Sequence, residues 1–183
     1  AVRAATQPRG VAMHLDGARL WNAHIASGVA LAEYAAHVDT VSVCLSKGLG
    51  APVGSVLLGS ADAMAQARIW RKRYGGGMRQ VGILAAAGLH ALDHHVDRLA
   101  DDHARARRAA EAFAEAAPGC IDPATVQTNI VMLSTAATGW TPADLVAAAS
   151  AQGVRGYAAG PALVRLVWHL DVDDEATAYA IDV

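Results

Sequence analysis

The sequence predicts an α/β fold followed by a small α+β lobe. Two short, mostly apolar runs, residues 11–15 and 41–45, end at turn residues and are separated by helix-forming stretches. That alternation is expected of buried strands joined by helices in a mostly parallel sheet. A third apolar run, residues 54–58, returns directly from a turn rich in small residues. Beyond residue 97 the order becomes one long charged helix, then strand, helix, strand and helix, which sets off a separate lobe.

Each element has its own local reason. The first five residues look like the tail of a helix, which Pro8-Arg9-Gly10 breaks before the first strand. Residues 20–27 and 30–37 read as short helices separated by Gly28. Residues 62–74 show helical spacing of Met64, Ala67 and Ile69 among charges, and Gly75-Gly76-Gly77 ends that helix because glycine readily takes positive φ. A long apolar helix is expected over 80–96, opened by those glycines, with Ala85-Ala86-Ala87-Gly88 admitting another backbone closely. Residues 97–116 form a charged, alanine-rich helix closed by Pro118-Gly119. The lobe then has a strand at 129–133, a helix from Thr141-Pro142 to Ala151 and a strand at 164–169. A last helix starts at Asp173.

Composition narrows the class of function. The chain has 183 residues, is 54% hydrophobic and carries a net charge of -2. Its mean hydropathy is +0.24. Near-neutral charge gives no footprint for nucleic acid or an anionic membrane. No apolar run reaches the roughly 18 residues of a membrane-spanning helix. The high apolar content, in which alanine is the commonest residue, suggests buried elements or a large oligomer interface. Cys44 and Cys120 lack metal-ligand spacing, and a reducing, cytoplasmic setting fits them better than a secreted one.

Lys47 is the most informative position. The strand-like run 40–45 delivers it into Ser46-Lys47-Gly48-Leu49-Gly50, and the first run delivers an acid at Asp16, followed by Gly17-Ala18-Arg19. A lysine and an acid at neighbouring strand ends are what pyridoxal 5'-phosphate (PLP) requires. The lysine forms the Schiff base and the acid keeps a proton on the pyridine nitrogen. A free lysine has a pKa of about 10.4, so burial or a cationic neighbour must release the amine. The plainer readings are an exposed loop lysine and a helix N-cap at Asp16. A phosphate-loop reading fails, because Ser46-Lys47-Gly48 lacks the upstream glycine spacing and the following Ser/Thr.

Arg165 sits in an otherwise apolar strand, where a guanidinium is costly unless it meets an anion or a salt-bridge partner. Arg19 and Arg165 both offer the planar fork that suits a carboxylate. The cationic run 68–73 reads by itself as a solvated helix face. His90 and His94 have i, i+4 spacing, yet no third ligand or carboxylate–histidine motif accompanies them, so no metal site is expected. His14 and His169 read as packing or supporting groups.

Three segments taken together resemble the low-specificity L-threonine aldolases. They are His14-Leu15-Asp16-Gly17-Ala18-Arg19, Leu45-Ser46-Lys47-Gly48-Leu49-Gly50-Ala51-Pro52-Val53-Gly54-Ser55 and the stretch from Arg68 through Lys72 and Gly75-Gly76-Gly77 to Arg79-Gln80. The resemblance spans nearly the whole chain but only the later part of such an enzyme. It implies a three-layer α/β/α PLP-dependent transferase-like large domain, represented by its C-terminal part over 1–96. A connecting helix and small C-terminal domain occupy 97–183. It further implies Lys47 as the catalytic lysine, with Lys47, Asp16 and Arg79 holding PLP. Arg19, Arg165 and Lys72 meet a β-hydroxy-α-amino acid substrate. The implied reaction cleaves L-threonine or L-allo-threonine to glycine and acetaldehyde, in a homotetramer built of dimers. The expected alternatives are another PLP lyase of the β-eliminating or serine/glycine type, or a remnant that binds no cofactor. The 183 residues alone are expected to be inactive.

Overall fold

The computed structural model describes all 183 residues and is mixed α/β. The chain forms two compact units, Ala1–Asp97 and Arg98–Val183.

The first unit opens with helix α1 (Val2–Thr6) and a 3-10 turn, Gln7–Arg9, closed by Gly10 at φ 65°. Strand β1 (His14–Gly17) pairs in parallel with β2 (Thr40–Cys44) through α2 (Leu20–Ser27) and α3 (Leu31–Ala35). Strand β3 (Ser55–Gly59) pairs with β2 in antiparallel sense. The sheet, in order β1-β2-β3, is therefore half parallel, against the mostly parallel expectation. The reason is the short loop after β2, since only a longer crossover can restore strand direction.

Strand alternation gives this sheet two unlike faces. Leu15, Val41 and Val43 face the core, where Leu20, Trp21, Leu31, Tyr34 and Val38 pack on them. Of these, Leu20, Val41 and Val43 are buried, and full burial of such a side chain contributes about 1.5–3 kcal/mol. His14, Asp16, Thr40, Ser42 and Cys44 occupy the alternate positions and make the other face polar. His14 Nδ1 lies 2.8 Å from the Thr40 hydroxyl and its Nε2 lies 3.4 Å from the Ser42 hydroxyl.

Helix α4 (Ala61–Arg73) is capped by the Ser60 hydroxyl, which accepts from the Ala63 N–H. Gly75, at φ 83°, follows its end. Helix α5 (Gly82–His94) begins five residues beyond Gly77, so the glycine run ends one helix without opening the next. The segment between bends through Gln80 at φ 50°. What meets Gly88 on α5 is the Leu45 side chain, not another backbone.

The second unit is α+β. Helix α6 (Leu99–Ala116) leads to β4 (Ile130–Ser134), α7 (Pro142–Ala151), β5 (Tyr157–Gly160), β6 (Leu163–Val167) and α8 (Asp174–Asp182). Its antiparallel sheet has the order β4-β6-β5. Ala106, Ala109 and Ala110 line the buried stripe of α6 and meet Val126, Val131 and Trp168. The Trp168 indole donates to Thr177 on α8 at 3.0 Å, and Asn129 donates to the Trp168 carbonyl at 2.6 Å. Strand β5 has no strand signature in the sequence, because Tyr157-Ala158-Ala159-Gly160 is short and lacks β-branched residues. Cys44 and Cys120 are both free thiols.

Candidate active site

Parallel pairing of β1 and β2 fixes the site. Asp16 stands opposite Ser42 and Gly17 opposite Val43. The turn carrying Ala18 and Arg19 and the loop carrying Lys47 therefore leave the sheet at the same carboxyl edge, where open α/β sheets bind ligands. The strand register directs the segments that carry Asp16, Arg19 and Lys47 to one edge of the sheet.

Asp16 is exposed on the polar face, and its Oδ1 accepts from the Ala18 N–H at 3.1 Å. The N-cap of α2 is Arg19, so Asp16 closes the turn before the helix rather than capping it. The second carboxylate oxygen remains available to a ligand. Gly17 is required by space. A Cβ there would lie 2.8 Å from the Ser42 carbonyl oxygen, 3.1 Å from Val41 Cγ2 and 3.3 Å from Leu20 Cβ.

The Lys47 loop is held by its backbone. The Leu45 N–H donates to the Gly54 carbonyl at 2.9 Å, Gly50 to Lys47 at 2.9 Å and Ala51 to Leu45 at 3.0 Å. Gly50 at φ 69° and Gly54 at φ 129° supply the turns that L side chains disfavour. Leu49 is fully buried, whereas Lys47 is exposed and its amine is engaged by no protein group. Two ring N–H groups grip the segment on either side of the lysine. Trp21 Nε1 donates to the Cys44 carbonyl at 3.0 Å, and His95 Nδ1 donates to the Leu49 carbonyl at 2.6 Å. Nothing in the local sequence pattern marked His95 for this contact, which joins residues 46 positions apart.

Lys72 and Arg79 flank the glycine run of the same unit. The Lys72 side chain lies over Gly77, whose hypothetical Cβ would come within 2.6 Å of Lys72 Cδ. Arg79 is exposed in the bend before α5. Trp70 stacks on Tyr74 with ring centroids 5.7 Å apart, and the Arg73 guanidinium covers Trp70 at 4.8 Å. Two of the cations in the 68–73 run thus pack on neighbours along the chain. His90 and His94 have ring centroids 4.5 Å apart, and no group of three or more His, Cys, Asp or Glu side chains has metal-binding geometry.

Arg165 belongs to the second unit, at the centre of its sheet, between Met132 on β4 and Tyr157 on β5. Its Nε is buried with no hydrogen-bond partner, and its guanidinium lies 5.9 Å from the centre of the Tyr157 ring. It forms no salt bridge, so the structural ion-pair explanation for an arginine in this strand does not apply. An orphaned, buried, cationic donor is costly and fits a site that receives an anion.

The donor set suits PLP chemically. Within the first unit it includes an uncommitted amine and a carboxylate with a spare oxygen at the same sheet edge.

A family model described as beta-eliminating lyase matches residues 1–138. The low specificity L-threonine aldolase of Escherichia coli strain K12 is 44% identical over 173 residues, covering 94% of this chain and 50% of that protein. Aldolase vrtJ of Penicillium aethiopicum is 45% identical over 170 residues, covering 92% of this chain and 42% of that protein. The chain thus spans about half the length of these relatives. Among solved structures, a threonine aldolase of Leishmania major superposes with a TM-score of 0.77 at 20% identity, over 99% of this chain and 53% of that one.

Proposed function

The chain belongs to the beta-eliminating lyase family, and from that premise we propose that the whole protein is a PLP-dependent aldehyde-lyase cleaving L-threonine or L-allo-threonine to glycine and acetaldehyde. The observation that carries the proposal is the shared carboxyl edge of β1 and β2, where Asp16 and Lys47 leave parallel strands in fixed register. Identity of 44% to an aldolase across nearly the whole chain supports the choice of reaction.

When bound, PLP supplies an electron sink for charge developing at the substrate Cα. Lys47 holds the cofactor through Nζ, and the Asp16 carboxylate keeps a proton on the pyridine nitrogen. Arg79 serves the cofactor phosphate. Arg19 and Arg165 take the substrate carboxylate, and Lys72 faces the substrate. Gripping the carboxylate orients the Cα–Cβ bond, which is where positioning lowers the barrier most directly. These roles follow the family resemblance of the segments that carry the residues. In the same reading, residues 1–96 belong to the cofactor domain and 97–183 to the connecting helix and small domain. The protein works in the cytoplasm as a homotetramer. The 183 residues by themselves turn over no threonine, since half of the relatives' length lies outside them.

Two measurements test the function. The full-length natural protein should gain a visible absorbance band with PLP, and Lys47→Ala should remove it. It should release glycine from threonine. Ammonia release from serine without glycine release from threonine would instead establish an eliminating lyase, the second reading that the family description favours.

A further inference from the structure

We propose that His95 is a positioning residue for Lys47, acting through the Leu49 carbonyl. The inference rests on the cofactor role proposed above for Lys47. The lysine side chain has no hydrogen bond or ion pair with the protein, so its direction is set by the loop backbone. Three of the loop's restraints are backbone hydrogen bonds internal to residues 45–54. Internal bonds fix the loop's shape but not its placement on the rest of the unit.

Placement comes from outside contacts. Leu45 packs against Gly88, where an added Cβ would approach Leu45 Cδ1 to 3.0 Å. Trp21 holds the strand end before the lysine, at Cys44. His95 holds the loop after it, at Leu49, with the shortest of the bonds described here for this loop. The residue terminates α5 as its C-cap, and its own N–H is anchored on Ala91, which is buried. A carbonyl only accepts, so Nδ1 must carry the hydrogen. The half-buried setting makes the loss of this donor costly, because the Leu49 carbonyl would remain beside a fully buried side chain without its partner.

The geometry makes a discriminating test possible. Asparagine places its amide N–H where histidine has Nδ1, whereas glutamine places it near Nε2. His95→Asn should therefore preserve the tether, and His95→Gln should lose it at similar size and polarity. In the full-length protein without cofactor, amide exchange at Gly50 and Ala51 should accelerate about tenfold in His95→Gln and His95→Ala, as loss of one hydrogen bond allows. His95→Asn should stay within about twofold of the natural protein by the same measure. Titration with PLP should show the same order, with the visible band requiring more cofactor in His95→Gln than in His95→Asn. Equal behaviour of Asn and Gln variants, in either direction, overturns the inference. Absence of a band in the natural protein overturns the cofactor reading instead, and the exchange measurement still decides whether His95 tethers the loop.

Discussion

Gly17 runs against Ser42 so closely that a methyl group on its Cα would sit 2.8 Å from the Ser42 carbonyl oxygen. The obstacle is backbone, not the end of a flexible side chain, so it cannot step aside without opening the β1–β2 pair that aligns Asp16 with Ser42. Gly17→Ala should therefore destabilise the protein by about 1–3 kcal/mol. It should also weaken PLP retention, because Asp16 and Arg19 flank the displaced residue. Urea unfolding and cofactor titration on the same samples check both effects.

Lys47 is exposed and has no protein partner. Replacing it with alanine should change unfolding free energy by no more than about 0.5 kcal/mol while abolishing the visible band and threonine cleavage. Joint measurement of thermal unfolding and absorbance separates a chemical role from a structural one.

Arg165 carries the orphaned Nε and stands over Tyr157. Arg165→Lys keeps the charge but loses the planar fork. The KM for threonine should rise about tenfold to a hundredfold, in line with losing a hydrogen bond to a charged group. The kcat should fall less if the contact binds ground state and transition state alike. Steady-state kinetics give both numbers.

Asp174 accepts from Arg105 at 3.1 Å and lies 3.4 Å from Arg108, joining α8 to α6. The Arg105 hydrogen bond, with the charges of Arg105 and Arg108, holds its carboxyl below the ordinary aspartate value of 3.8. Because the folded value is depressed, the folded state releases this proton more readily than the unfolded chain. The stabilisation is present above about pH 4 and is lost as pH falls through the lowered folded value. Asp174→Asn should flatten the acid limb of stability against pH, with little change in its slope near neutrality. Thermal melts from pH 7 to pH 3 provide the comparison.

Helix and strand identities were largely legible in the sequence, for reasons visible in the structure. Residues 20–27 match α2, because Gly28 at φ 71° ends the helix in the left-handed region. Thr141 caps α7 and Asp173 caps α8, as short polar side chains before a helix are expected to do. The first strand lies later than its apolar run suggests, at His14–Gly17, because pairing with β2 extends through Asp16 and Gly17 while residues 11–13 lie outside the ladder. Asp16 and Lys47 stood out because turns rich in glycine isolate them. His95 and Tyr157 did not, since each matters through a partner distant in sequence or on another strand. Apolar periodicity carries no record of a ring nitrogen reaching a carbonyl in another loop.

The bond from Leu45 to Gly54 closes the lysine-bearing segment into a ten-residue loop, residues 45–54, with its own internal restraints. Such a loop behaves as a cassette. Exchanged whole between related lyases, it would carry the shape around the amine with it. The recipient need only provide an indole at the entrance, a ring or amide donor at the exit and a glycine beneath.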